Sequence, residues 1–131
     1  LKDAGMVTNA KWLDIDGDNK QDLVTVSEWG SPLVFKNSGR RLTKWKCSLD
    51  SLQGWWKSLE YGDIDADGDQ DLILGNMGLN FPYVPSKNNS LKLWINDFDA
   101  NGTIEQITAV HNENGDYPIH MRREMNIQLP S

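Results

Sequence analysis

The 131-residue chain predicts an all-β fold. Short apolar or alternating runs recur along it, bounded by Asp, Asn, Gly and Pro, and no segment carries a convincing stripe at helical spacing. One nine-residue acidic pattern also occurs three times, each copy lying between two such runs.

The elements follow in order. Lys11-Trp12-Leu13 leads into the first acidic segment, DIDGDNKQD at 14–22, and Leu23-Val24-Thr25-Val26 leads out of it. Ser31-Pro32 and Asn37-Ser38-Gly39 mark later turns. Ser58-Leu59-Glu60-Tyr61 precedes the second segment, DIDADGDQD at 63–71, and Leu72-Ile73-Leu74 follows it. The stretch from Asn80 to Ser90, with two Pro and three Asn, reads as a partner-facing loop. Leu91-Lys92-Leu93-Trp94-Ile95 precedes the third segment, DFDANGTIE at 97–105, and Ile107-Thr108-Ala109-Val110 follows it. Pro118 to Leu129 holds at most a helical turn. The unit is therefore strand, acidic loop, strand.

Composition narrows the class. A 38% hydrophobic content with six Trp excludes disorder, and no apolar run approaches the roughly 18 residues of a membrane-spanning helix, so no membrane insertion is expected. The single cysteine, Cys47, excludes a disulfide framework and a Cys-rich zinc site, and reads as a half-buried thiol. A net charge of −6 argues against nucleic acid as partner. Twelve of the 19 acids sit in the three segments with one cation, Lys20, so the negative charge is concentrated.

Carboxylates held about 4 Å apart repel by a few kcal/mol at an effective dielectric near 20, unless a cation sits among them. Alternate spacing in a curled loop aims positions 1, 3 and 5 at one point: Asp14, Asp16 and Asp18; Asp63, Asp65 and Asp67; Asp97, Asp99 and Asn101. A carbonyl at position 7 (Lys20, Asp69, Thr103) and the acid at position 9 (Asp22, Asp71, Glu105) close the shell. Six to eight oxygens in a flexible loop is what Ca²⁺ takes, so two to three Ca²⁺ ions are expected. Gly17, Asn19, Gly68 and Gly102 supply the left-handed backbone of such a curl. Three ions would add +6 and bring the chain near neutrality. The third loop, one charge short of the first at its ligand positions, is expected to be the weakest. An EF-hand does not fit: its bidentate Glu would fall at Thr25, Leu74 and Thr108, and the flanks are strand-like.

These acidic loops and their following runs resemble the FG-GAP and VCBS-type repeats of β-propellers. Val7-Thr8-Asn9-Ala10, Gly54-Trp55-Trp56, Gly75-Asn76-Met77-Gly78-Leu79-Asn80 and Tyr117-Pro118 are similar to bacterial VCBS-repeat proteins, among them Bacteroidetes relatives with an ASPIC/UnbV domain. The resemblance implies a partial β-propeller, with approximate blades 11–49, 55–90 and 91–131 and a calcium loop joining the first two strands of each blade. It implies a fragment of an exported protein, in the periplasm, at the cell surface or outside. The implied role is a structural or adhesive interaction module with an unknown protein or glycan partner, able to self-associate through open blade edges.

No nucleophile elbow, phosphate loop or dinucleotide fingerprint is present. His111 and His120 read as ordinary strand or surface residues, and no catalytic role is assigned, which leaves a Ca²⁺-dependent enzyme fragment as the least favoured alternative. Trp12 and Trp94 are expected to cover the blade core, with Trp29 and Trp45 in the same role one strand on. Trp55 or Trp56, with Tyr83 or Phe81, offers a stacking surface for a sugar, the alternative reading.

Overall fold

The computed structural model describes residues 3–80, 83, 85–86, 88–120 and 125. The chain divides into two compact units, Leu1–Pro82 and Tyr83–Ser131. The division falls inside the segment expected as a second blade. Phe81 and most of the expected turn at 118–129 lie outside the described residues.

The first unit contains a four-stranded antiparallel meander in the order β1 (Met6–Leu13), β2 (Asp22–Glu28), β3 (Leu33–Asn37) and β4 (Leu42–Trp45). A single 3₁₀ turn at Ser48–Ser51 leads to a two-stranded hairpin, β5 (Trp56–Gly62) and β6 (Asp71–Asn76). β2 is paired on both edges and covered on both faces, so that its polar Asp22, Thr25 and Ser27 are buried along with Leu23, Val24 and Val26. Leu13, Val24, Val26 and Val34 share one face of the meander, and Leu59 of β5 packs into them. Trp45, Cys47, Leu49 and Trp56 surround this core.

β1 and β5 also meet through polar groups. The Thr8 hydroxyl donates to the Trp56 carbonyl (2.8 Å), and Lys11 pairs with Glu60 (2.8 Å). Gly30 and Gly54 exchange two backbone hydrogen bonds. Both hairpins carry a register irregularity at the same distance before their acidic loops, between Val7 and Asn9 and between Trp56 and Ser58. A bulge of this kind bends and twists a strand.

The second unit is a three-stranded antiparallel sheet of β7 (Ser90–Asn96), β8 (Glu105–Asn112) and β9 (Gly115–Pro118). Ile107 and Ala109 are its buried centre. Among the described residues no helix is long and apolar enough to cross a membrane.

Two aromatic expectations are corrected. Trp12 and Trp94 are each about half exposed, at 51% and 47%. Leu13 takes the core side at the end of β1, so the strand alternation turns Trp12 to the opposite face, across from Leu23. Cys47 is free and half-buried.

Candidate metal centres in the three acidic loops

Each acidic segment is a hairpin loop closed by one register: Leu13 pairs with Asp22, Gly62 with Asp71 and Asn96 with Glu105. Counting from the first Asp, positions 4 and 6 adopt left-handed backbone in all three loops. These are Gly17 and Asn19 (φ 75° and 62°), Ala66 and Gly68 (61° and 96°), and Ala100 and Gly102 (59° and 87°). The sequence pointed to Gly17, Asn19, Gly68 and Gly102; the two alanines carried no signal, because an L-residue with a Cβ seldom adopts this conformation.

Three side-chain bonds recur at fixed positions. The carboxylate at position 1 accepts the N–H of position 6: Asp14 from Asn19 (2.7 Å), Asp63 from Gly68 (3.1 Å) and Asp97 from Gly102 (2.9 Å). The oxygen at position 5 accepts the N–H of position 7: Asp18 from Lys20 (2.9 Å), Asp67 from Asp69 (3.0 Å) and Asn101 from Thr103 (2.7 Å). The acid at position 9 reaches back to the N–H of position 2: Asp22 to Ile15 (3.3 Å), Asp71 to Ile64 (3.0 Å) and Glu105 to Phe98 (2.9 Å). These bonds curl the chain around its own carboxylates, as short Asp and Asn side chains do in turns.

The curl brings oxygens together. Asp14, Asp16 and Asp18 each place one carboxylate oxygen within 4.8 Å of the others. So do Asp63, Asp65 and Asp71, and again Asp97, Asp99 and Glu105. Of the other acids expected as ligands, Asp22, Asp67 and Asp69 lie outside these closest groups. Repulsion by Asp67, then burial and the other neighbouring carboxylates, pushes the Asp69 carboxyl above the usual range, so the second loop carries unneutralised negative charge. The donors are all oxygen, the chemistry that suits a hard cation such as Ca²⁺.

The first loop differs. Asp22 is 1% exposed, and its second oxygen accepts the N–H of Asn37 at the end of β3 (2.7 Å). Lys20 lies 2.6 Å from Asp18, and Lys36 of β3 lies 2.7 Å from Asp16. The Lys20 ammonium holds the Asp18 carboxyl below the usual carboxylate range, and Asp18 raises Lys20 in return. Lys36 and Asn37 carried no signal in sequence; only the pairing of β3 with β2 brings them to the loop.

Of the expected stacking residues, the two tryptophans make contacts within the first unit. Trp55 is half-buried with its ring centroid 4.9 Å from that of Trp29, and Trp56 packs against the core and donates its Nε1–H to Leu52 (3.0 Å). Tyr83 is 39% exposed and belongs to the second unit. His111 is more than a plain strand residue. Its Nδ1 lies 2.5 Å from Asp116, which also accepts from Lys92 (3.0 and 3.3 Å).

The class these features define is an all-β protein built from hairpins closed by acidic, oxygen-lined loops. Residues 14–74, a little under half of the chain, match the model of the FG-GAP-like repeat. That segment includes the first two acidic loops, and 97–105 lies outside it. No curated protein and no solved structure matches the chain.

Proposed function

We propose that the chain is a calcium-stabilised structural and interaction segment of an exported FG-GAP/VCBS-type propeller protein. In this reading the meander β1–β4 is one blade, β5–β6 the inner half of a second, and β7–β9 most of a third, following the expected segments 11–49, 55–90 and 91–131. The observation that carries it is the threefold identity of the loops: the same left-handed positions, the same three hydrogen bonds and three clusters of carboxylate oxygens.

Asp63, Asp65 and Asp71, with Asp67 and the carbonyl of Asp69, would hold the ion of the second loop. Asp97, Asp99 and Glu105, with Asn101 and the carbonyl of Thr103, would hold that of the third. A bound Ca²⁺ would supply positive charge among the loop oxygens, and only in the folded hairpin. The residues do the rest. Backbone N–H groups orient each carboxylate, and the paired strands hold positions 0 and 9 at a fixed separation. A ligand that binds only the folded state stabilises it by RT ln(1 + [L]/Kd), which is about 0.5–2 kcal/mol per loop at millimolar calcium for a Kd on the order of 10⁻⁴–10⁻³ M. Such sites are filled where calcium is millimolar, which supports the periplasm, cell surface or exterior as location. The partner in this reading is a protein or a glycan, met at the exposed loops and edges.

Thermal unfolding in EGTA and in about 2 mM CaCl₂ tests it, with calorimetric titration to count sites. A higher melting temperature with calcium is expected, and Asp65→Ala should remove part of the gain while leaving the melt in EGTA nearly unchanged. Equal melting in both buffers with no heat of binding would reduce the loops to turns and end the calcium reading.

A further inference from the structure

We infer that Lys20 and Lys36 occupy the carboxylates of the first loop in place of a metal ion, so that the chain takes two calcium ions, at 63–71 and 97–105, and none at 14–22. This rests on the calcium reading above and goes beyond it by assigning the loops different roles.

Four observations separate the first loop from the others. Lys36 lies 2.7 Å from Asp16 and is held from behind, its ammonium 3.9 Å over the Trp45 ring. Trp45 in turn packs against the core, and β3 is paired on both edges, so this cation is built into the blade rather than swinging from a loop. Lys20 covers Asp18 at 2.6 Å. Asp22 is withdrawn: both its oxygens are taken by backbone N–H groups, and it stands outside the group formed by Asp14, Asp16 and Asp18. In the other loops the acid at position 9, Asp71 or Glu105, belongs to the group. Finally, among the described residues no Lys, Arg or His pairs with a carboxylate of 63–71 or 97–105.

The charges follow from this. Four acids and two lysines leave the first loop at −2, whereas the second stands at −5 and the third at −3. A divalent ion in the first loop would sit beside an anchored ammonium, and one unit charge a few ångströms away lowers divalent affinity by about tenfold or more even in a water-like dielectric. Sequence ranked the third loop weakest on its count of acids. The structure ranks the first loop weakest on the cations that its sheet delivers.

The test is calorimetric titration of the full chain with CaCl₂, with melting temperature as a second readout. The wild type should show two sites. Asp65→Asn and Asp99→Asn should each remove one, and Asp16→Asn none. Replacing both lysines (Lys20→Gln with Lys36→Met, which keeps the stem on Trp45) should open a third site, tightening first-loop binding by about tenfold or more. Three sites in the wild type, or a site lost with Asp16→Asn, overturns the inference while leaving the calcium reading intact. Two wild-type sites with no third in the double variant overturns the role of the lysines. No binding to any variant removes both readings together.

Discussion

Ala66 and Ala100 occupy left-handed backbone at φ 61° and 59°, where the first loop has Gly17. Left-handed backbone costs an L-residue about 1–2 kcal/mol, and glycine avoids that while losing about 0.5–1 kcal/mol more conformational entropy on folding. The balance predicts that Ala66→Gly raises stability by up to about 1 kcal/mol, read by urea denaturation in EGTA. Gly17→Ala should lose a similar amount, and by strain alone, because a Cβ there would meet nothing within 4 Å. A loss on Ala66→Gly would show that the loop is not strained at position 4. In the second unit, Lys92 and, secondarily, His111 hold the Asp116 carboxyl below the usual carboxylate range. A depressed carboxylate stabilises the fold above its unfolded pKa near 4, and that contribution is lost as pH falls through the lower folded value. Lys92→Met should therefore lower the melting temperature at pH 7, with the gap to wild type closing below about pH 4. A gap independent of pH would place the effect in lost packing over Trp94 instead, where the Lys92 ammonium lies 5.8 Å from the ring centroid.

At the scale of elements, the core depends on one residue that crosses between sheets. Leu59 is fully buried and is the member of the central cluster contributed by β5. Leu59→Ala should cost about 2–5 kcal/mol, measured by the urea midpoint, and should weaken the seam between β5 and the meander more than any loop change. A cost under about 1 kcal/mol would mean that the two sheets are not one cooperative core. The hairpins themselves were legible: strands flank each acidic segment because Leu23–Val26, Leu72–Leu74 and Ile107–Val110 are β-rich runs bounded by turn residues. The convergence of positions 1 and 3 was legible for the same reason, since spacing along one curled loop is local information. Position 9 was only half legible. Asp22, Asp71 and Glu105 are alike in sequence, but β3 reaches Asp22 with the Asn37 N–H. That bond joins residues 15 apart and depends on a register no local pattern encodes. The cation of Lys36 and the His111–Asp116–Lys92 cluster escaped likewise, because strand pairing rather than spacing assembles them.

For the whole molecule, the sheet edges give an expectation for behaviour in solution. Among the described residues β6 pairs only with β5, although its counterpart β2 is paired on both sides. Its sequence, Asp71–Asn76, has no Lys or Pro to discourage pairing with another chain, and Ile73 is 50% exposed. The neighbouring Ile64 is 65% exposed, whereas Ile15, in the same place in the first loop, packs against the core. Apolar surface beside an open strand edge favours a second copy of the chain or a partner strand. Self-association at tens of micromolar is therefore expected in sedimentation velocity, growing with concentration. Ile73→Lys should suppress it without loss of fold, because the new ammonium lies directly opposite Glu60 of β5 and gains a cross-strand partner. A strictly monomeric wild type would sink this expectation. Association unchanged in Ile73→Lys would move the contact away from β6, toward the exposed Phe98 and Ile104 of the third loop, where Ile104→Lys becomes the deciding variant.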